Sequence, residues 1–204
     1  MHIAITGNIG AGKTTLAKML ADHYGWEVLF EAVEGNPYLA SFYEDMPRWS
    51  FNLQIYFLNS RFEQVQKIRK MHYKTVVQDR TIYEDAFIFA RNLHDSGLMS
   101  DQDYDSYFLL FQTITNAVPP PDLTIYLQAD VPKLVSQIKK RGRDFEMNMD
   151  KQYLQNLNVL YEDFAQHYDH GKIITINVND LDYTVNDADF QKIVEIVNPE
   201  LGYK

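Results

Sequence analysis

Near the start of the chain, Gly7-Asn8-Ile9-Gly10-Ala11-Gly12-Lys13-Thr14-Thr15 fills every fixed position of the pattern G-x-x-x-x-G-K-[ST]. Its setting is as telling as its letters. His2 to Thr6 reads as a short β-rich run, and Leu16, Met19 and Leu20 then recur at helical spacing. Strand, glycine turn and helix thus follow in order, and the fold must be built around that unit. Glycines reach backbone angles closed to other residues, so successive N–H groups can point inward at phosphate oxygens, with the positive end of the next helix behind them. The expected ligand is a nucleoside triphosphate. Lys13 would reach its β and γ phosphates, and the Thr14 hydroxyl would ligate Mg2+. A chance glycine-rich turn is the alternative, and the strand before and helix after the motif argue against it.

Further strand-like runs at residues 27–30, 75–78, 123–128 and 172–177 alternate with segments long enough for helices. Alternation of this kind predicts an α/β fold, a five-stranded parallel sheet flanked by helices, whose ligands bind beyond the carboxyl ends of the strands. Gly7, Glu31, Asp79 with Arg80, and Asp130 are therefore the positions to inspect. A long helix is expected over about residues 48–71, and Pro119-Pro120-Pro121 stops another. No Pro/Gly/Ser-rich linker divides the 204 residues, so one domain over 1–204 is expected. The chain has no Cys and no basic, apolar leader, which points to the cytoplasm and removes thiolate zinc sites and Cys nucleophiles from consideration. No apolar run is long enough to cross a membrane. A net charge of −9 argues against nucleic acid or an anionic membrane as partner, while a local basic pocket for one nucleotide is compatible with it.

Four groups of residues could carry chemistry. Glu31 directly follows Val28-Leu29-Phe30, where its carboxylate could accept a proton from an attacking hydroxyl; a solvated loop acid is the alternative. The strand at Thr75-Val76-Val77-Gln78 leads into Asp79 and Arg80, suited to Mg2+ and to anionic oxygens respectively, or else to a structural pair at a helix start. On the long helix, Phe51, Gln54, Leu58 and Arg61 share a face, and Asp85 and Phe89 lie one turn apart on the next. An amide, an Arg-Asp pair and an aromatic face could hold a flat heterocycle, whereas a lone Gln54 or Arg61 on such a face would usually be a helix-edge residue with its end in water. Arg141-Gly142-Arg143-Asp144-Phe145-Glu146 follows Lys139 and Lys140, a basic cluster in an acidic chain. It reads either as a mobile segment bringing arginines over transferred phosphate or as a solvated helix end.

Together these pieces resemble the deoxyribonucleoside kinase family, and most closely its bacterial deoxyadenosine/deoxyguanosine kinase branch. The resemblance is carried by Glu31 in Glu31-Ala32-Val33-Glu34-Gly35-Asn36-Pro37, by Gln54 seven residues before Arg61, and by Asp79-Arg80-Thr81 with Asp85 six residues beyond its first acid. Arg141-Gly142-Arg143 matches the lid, expected over about 141–150. The resemblance implies a P-loop kinase fold with a short arginine-bearing lid, ATP and Mg2+ as cofactors, and Glu31 as the base. It also implies that Tyr43 and Glu146 bind the sugar 3′-hydroxyl of a small-molecule purine deoxynucleoside, most of all deoxyadenosine. Lys13, Arg80, Arg141 and Arg143 would stabilise charge, Thr14 and Asp79 would serve Mg2+, and Gln54, Arg61, Asp85 and Phe89 would hold the base. A homodimer is the expected assembly. Two departures are Thr81 where the family has Ser, and Gln137 where some relatives have an arginine against the donor base. The competing classes are a nucleoside monophosphate kinase such as a thymidylate kinase, and a nucleotide-dependent switch; the chain lacks the Asn-Lys-x-Asp guanine-reading motif of the latter.

Overall fold

Short runs rich in aliphatic and β-branched residues form β1 (His2–Thr6), β2 (Glu27–Leu29), β3 (Val76–Asp79), β4 (Leu123–Gln128) and β5 (Lys172–Asn177). In the computed structural model, which describes residues 1–30, 35–143, 146 and 149–202, these strands pair in the order β2-β3-β1-β4-β5. Every pairing is parallel. Strands that precede β4 lie on one side of β1 and the rest on the other, so a crevice opens at the carboxyl end of β1. The register puts Ile5 level with both Asp79 and Ile125. The Arg80 N–H then donates to the Ile5 carbonyl at 2.9 Å, so the turns after β1 and β3 leave the sheet side by side.

Alternate strand residues face opposite layers, as the two-residue period of a strand requires. Ile3, Ile5, Val77, Ile125 and Leu127 pack with Leu16 and Leu20 of α1 (Lys13–Tyr24) and Ile193 and Val197 of α9 (Asp187–Val197). On the other face Tyr126 joins Phe42, Leu58, Ile88, Leu157 and Tyr161, drawn from α2 (Leu39–Glu44), α3 (Met46–Lys70), the segment after β3 and α8 (Lys151–His167). The Asp45 side chain caps α3 by accepting from the Arg48 N–H, and Pro47 sits in its first turn, where no N–H is needed. Lys67, Arg69 and Lys70 end it, facing the negative end of the helix dipole.

The expected strands and long helix are present, β4 and β5 with the expected bounds and β2, β3 and α3 with ends shifted by one or two residues, and Asp79 is the last residue of β3 rather than the first beyond it. α6 (Asp101–Thr115) stops ahead of Pro119-Pro120-Pro121. The helix expected after Thr81 is interrupted. It starts as α4 (Ile82–Glu84), widens into a π-helical turn over Asp85–Ala90, where the Arg91 N–H reaches back to the Ala86 carbonyl, and resumes as α5 (Arg91–Asp95). Such a widened turn often marks a functional site. α7 (Val131–Arg141) ends at Gly142, whose φ of 69° suits glycine.

Candidate active site

The glycine turn is held by packing as well as by backbone preference. A Cβ on Gly12, at φ 93°, would stand 2.1 Å from the Tyr183 hydroxyl oxygen, and one on Gly10, at φ 87°, 2.7 Å from the Leu134 carbonyl. The Tyr183 oxygen lies 3.3 and 3.2 Å from the Ala11 and Gly12 carbonyls. Burial pushes this phenol up, as it does that of Tyr153 on the cleft wall, so both remain protonated donors. α1 starts at Lys13 and presents its positive end to the turn. Lys13 is 6% exposed and donates from Nζ to the Gly7 and Asn8 carbonyls at 2.6 and 3.1 Å. Asn8 turns its side chain away, its Nδ2 donating to the Leu154 carbonyl and Asn158 Oδ1 of α8.

Beyond the turn, the Thr14 hydroxyl donates to Asp79 Oδ2 at 2.5 Å. A hydroxyl and a carboxylate so placed are hard oxygen donors that suit Mg2+, which takes one or two protein oxygens and fills the rest with water and phosphate. Arg80 follows with φ 72°, a left-handed conformation unusual for a residue other than glycine. Its NH1 donates to Glu84 Oε1 at 2.9 Å and to the Tyr161 hydroxyl at 2.8 Å, and its guanidinium lies over the Phe89 ring at 4.5 Å.

On α3, Gln54 and Arg61 are both buried, which overturns the reading of them as helix-edge residues with their ends in water. Arg61 Nε is 3.3 Å from Asp85 Oδ2, and the pair is shut off from solvent. Asp85 lines the cleft, whereas Arg61 stands behind it. Tyr43, Phe42, Leu53, Phe57 and Phe89 supply aromatic and aliphatic wall to the same cleft as Gln54 and Arg80. Glu146 is buried and accepts from Arg141 Nε at 3.1 Å and Arg143 NH1 at 3.4 Å, with a further close contact to Arg141 NH2. The basic cluster is therefore tied to an acid at the cleft wall rather than left as a purely solvated helix end.

These residues meet in one cleft of about 750 Å3. Ile9, Gly10, Ala11, Gly12, Lys13, Thr14, Thr15, Tyr43, Gln54, Asp79, Arg80, Asp85, Phe89, Arg141, Arg143 and Glu146 all line it. Gly7, Asn8 and Arg61 stand behind the wall. Glu31 lies outside the described residues, as do 144, 145, 147 and 148 of the expected lid. Sequence reasoning missed two sets of partners. Glu84 was readable in principle, because Thr81-Ile82-Tyr83-Glu84 is a capping box whose reciprocal hydrogen bonds are both formed. The chain His2 Nε2 to Gln78 Oε1, Gln78 Nε2 to Gln64 Oε1, and Gln64 Nε2 to the Phe30 carbonyl had no sequence signal, since it joins β1, β3, α3 and the residue after β2.

A parallel α/β sheet with a glycine turn at its central strand, a hydroxyl–carboxylate pair and several arginines in one cleft defines a phosphoryl-transfer protein. The profile of the family described as Deoxynucleoside kinase matches residues 3–201. The chain is 37% identical over 195 residues to a deoxyadenosine/deoxycytidine kinase of Bacillus subtilis, covering 95% of this chain and 89% of that protein. It is 48% identical over 165 residues to a deoxyadenosine kinase of Dictyostelium discoideum, covering 81% and 66% respectively. A solved deoxyadenosine kinase from M. mycoides with bound dATP superposes with a TM-score of 0.85 at 30% identity, over 97% of this chain and 99% of that one. The chain belongs to the deoxynucleoside kinase family and is an ATP-dependent phosphotransferase acting on deoxynucleosides. No helix among the described residues is long and apolar enough to cross a membrane.

Proposed function

We propose that the protein, a single domain over residues 1–204 with a lid at about 141–150, transfers the γ-phosphate of ATP to the 5′-hydroxyl of a purine deoxynucleoside, deoxyadenosine ahead of deoxyguanosine. The observation that carries this reading is the layout of the cleft. Lys13, Thr14, Asp79 and Arg80 share it with Gln54, Asp85 and Phe89, and contacts run from Thr14 to Asp79, from Arg80 to Phe89, and from Asp85, one turn from Phe89, to Arg61. In this reading the phosphate-loop N–H groups and Lys13 bind the donor phosphates, and Thr14 and Asp79 hold Mg2+, which when bound offsets charge on the phosphates. Glu31 accepts the proton of the 5′-hydroxyl. Arg80, Arg141 and Arg143 face charge that grows on the transferred group.

At the base end, Gln54 Oε1 is buried without a hydrogen-bond partner among the described residues, which favours an acceptor for an exocyclic amino group. Its amide N–H2 can donate to a ring nitrogen of the same edge. Asp85 accepts from an amino group, held in place by Arg61, and Phe89 covers the ring. Tyr43 and Glu146 bind the 3′-hydroxyl, and Tyr43 crowds the place of a 2′-hydroxyl, which favours 2′-deoxyribose. Thymine offers no exocyclic amino group and adds a methyl. Deoxycytidine is also accommodated on this reading, since cytosine carries an amino group; the Bacillus subtilis relative is a deoxyadenosine/deoxycytidine kinase, and the M. mycoides enzyme has also been solved with bound dCTP.

Transfer of labelled phosphate from ATP to four deoxynucleosides and four ribonucleosides tests the assignment. The expected maximum of catalytic efficiency is with deoxyadenosine, well above adenosine. A clear maximum with thymidine, or equal efficiency with adenosine, would remove the base and sugar assignments. A cytoplasmic homodimer belongs to the same reading. Leu109 and Leu110 of α6, 66% and 41% exposed, are large apolar side chains such an interface would cover. A monomeric mass in sedimentation at assay concentration would exclude the dimer, and recovery in the membrane fraction would exclude the location.

A further inference from the structure

Glu84 is fully buried, carries a carboxylate, and does not line the cleft. Its capping role accounts for only part of its surroundings, the Thr81 N–H at 3.5 Å and its own N–H donating to the Thr81 hydroxyl at 3.2 Å. Oε1 does something else. It accepts from Arg80 NH1 at 2.9 Å and from the Tyr161 hydroxyl at 2.5 Å, and it stands 3.5 Å from the Gly7 N–H, the first of the phosphate loop. Tyr161, fully buried on α8, completes a triangle through its own contact with Arg80 NH1 at 2.8 Å. One oxygen thus touches the turns after β1 and β3 at once.

We propose that Glu84 and Tyr161 form a positioning pair that sets the plane of the Arg80 guanidinium for phosphoryl transfer. A guanidinium is a rigid planar fork, so anchoring one nitrogen on two partners, with the Phe89 ring under its face at 4.5 Å, leaves it a single orientation. Fixing that orientation in advance matters because charge on the transferred group develops only in the transition state, and a donor already aimed needs no rearrangement then. The left-handed backbone of Arg80, φ 72°, fits the same purpose: it turns the residue back toward the triangle immediately after β3. The carboxylate is the better anchor than a neutral acceptor, because charge-assisted hydrogen bonds to an arginine are shorter and stronger. Tyr161 shares the acceptor oxygen and keeps it from swinging away. Neither residue touches substrate. Both act through Arg80, so the inference rests on the role proposed for Arg80.

A kinetic double-mutant cycle tests it. Glu84→Gln keeps the shape and an acceptor but removes the charge, and should lower kcat about 10- to 100-fold while changing deoxynucleoside KM less than about twofold, the pattern of a misaligned catalytic group. Tyr161→Phe removes only the hydroxyl and should lower kcat in the same direction by less; it carries the cycle alone if Glu84→Gln does not fold, as judged by circular dichroism and thermal melting. In an Arg80→Ala background, both substitutions should have no further effect on kcat. Full additivity with an impaired Arg80→Ala would overturn the positioning role and leave the function of Arg80 standing. A parent-like kcat in Arg80→Ala would overturn both. A rise in KM with unchanged kcat in Glu84→Gln would show a role in binding alone and would also overturn the proposal.

Discussion

Glu31→Gln keeps the outline of the side chain and removes its proton acceptor, so kcat should fall by about 10²-fold or more with little change in deoxynucleoside affinity. Steady-state assays alongside equilibrium binding separate the two effects; near-parent turnover would take Glu31 out of the mechanism and make Glu34, three residues on, the next acid to test. Lys13→Ala should abolish transfer, because the Lys13 ammonium is the cation that the phosphate loop itself contributes to the cleft. Single residues also carry the clearest contrast between what could and could not be read in advance. Lys13 and Thr14 are recognisable from the letters around them. The spacing of α3 puts Arg61 on one face with Gln54, yet only its position behind Asp85 shows that it contacts the acid rather than the cleft.

Elements set how far these side chains can act together. The π-helical turn over Asp85–Ala90 places Asp85 against Arg61 and Phe89 beneath Arg80, so one widened turn reaches both the buried Arg61–Asp85 pair and Arg80. α8 touches the phosphate loop through Leu154 and Asn158 and touches Arg80 through Tyr161, which ties both to the helix that follows the lid. The lid is the element with the sharpest kinetic expectation. Arg141→Ala and Arg143→Ala should depress turnover more than they weaken substrate binding, since the role proposed for them is on charge that appears late. Single-turnover phosphate transfer at the parent rate in both variants would leave the cluster a structural partner of Glu146 with no part in transfer.

At the scale of the whole molecule, the polar chain that starts at His2 links stability to pH. Burial pushes the His2 imidazole down from 6.5 to about 4, against the Gln78 hydrogen bond and the Asp122 carboxylate, which favour the charged form. The folded value lies below the unfolded one, so between these limits the unfolded chain binds a proton that the folded chain refuses. Stability from this source is complete above about pH 6.5 and is lost as pH falls toward 4, for a total of about 3 kcal/mol. Urea unfolding at pH 7 and pH 5 should show a larger loss in the parent than in His2→Gln; parallel losses would refute the assignment. Much of the fold was legible in the chain because it is local chemistry. The β-α alternation, the glycine turn and the helix face carrying Gln54 and Arg61 depend on neighbours within a few residues, and their spacing survives in the sequence. Sheet order is not local, since it depends on pairings between segments as distant as His2 and Val76. That order brings Gly7 beside Glu84, Arg80 beside Tyr161 and Gln64 beside Phe30. The sequence by itself determined the strand–turn–helix unit and the kinds of residue in the cleft. Which of them touch was decided by the tertiary structure, because a hydrogen bond across more than thirty residues leaves no periodic trace in either partner's neighbourhood.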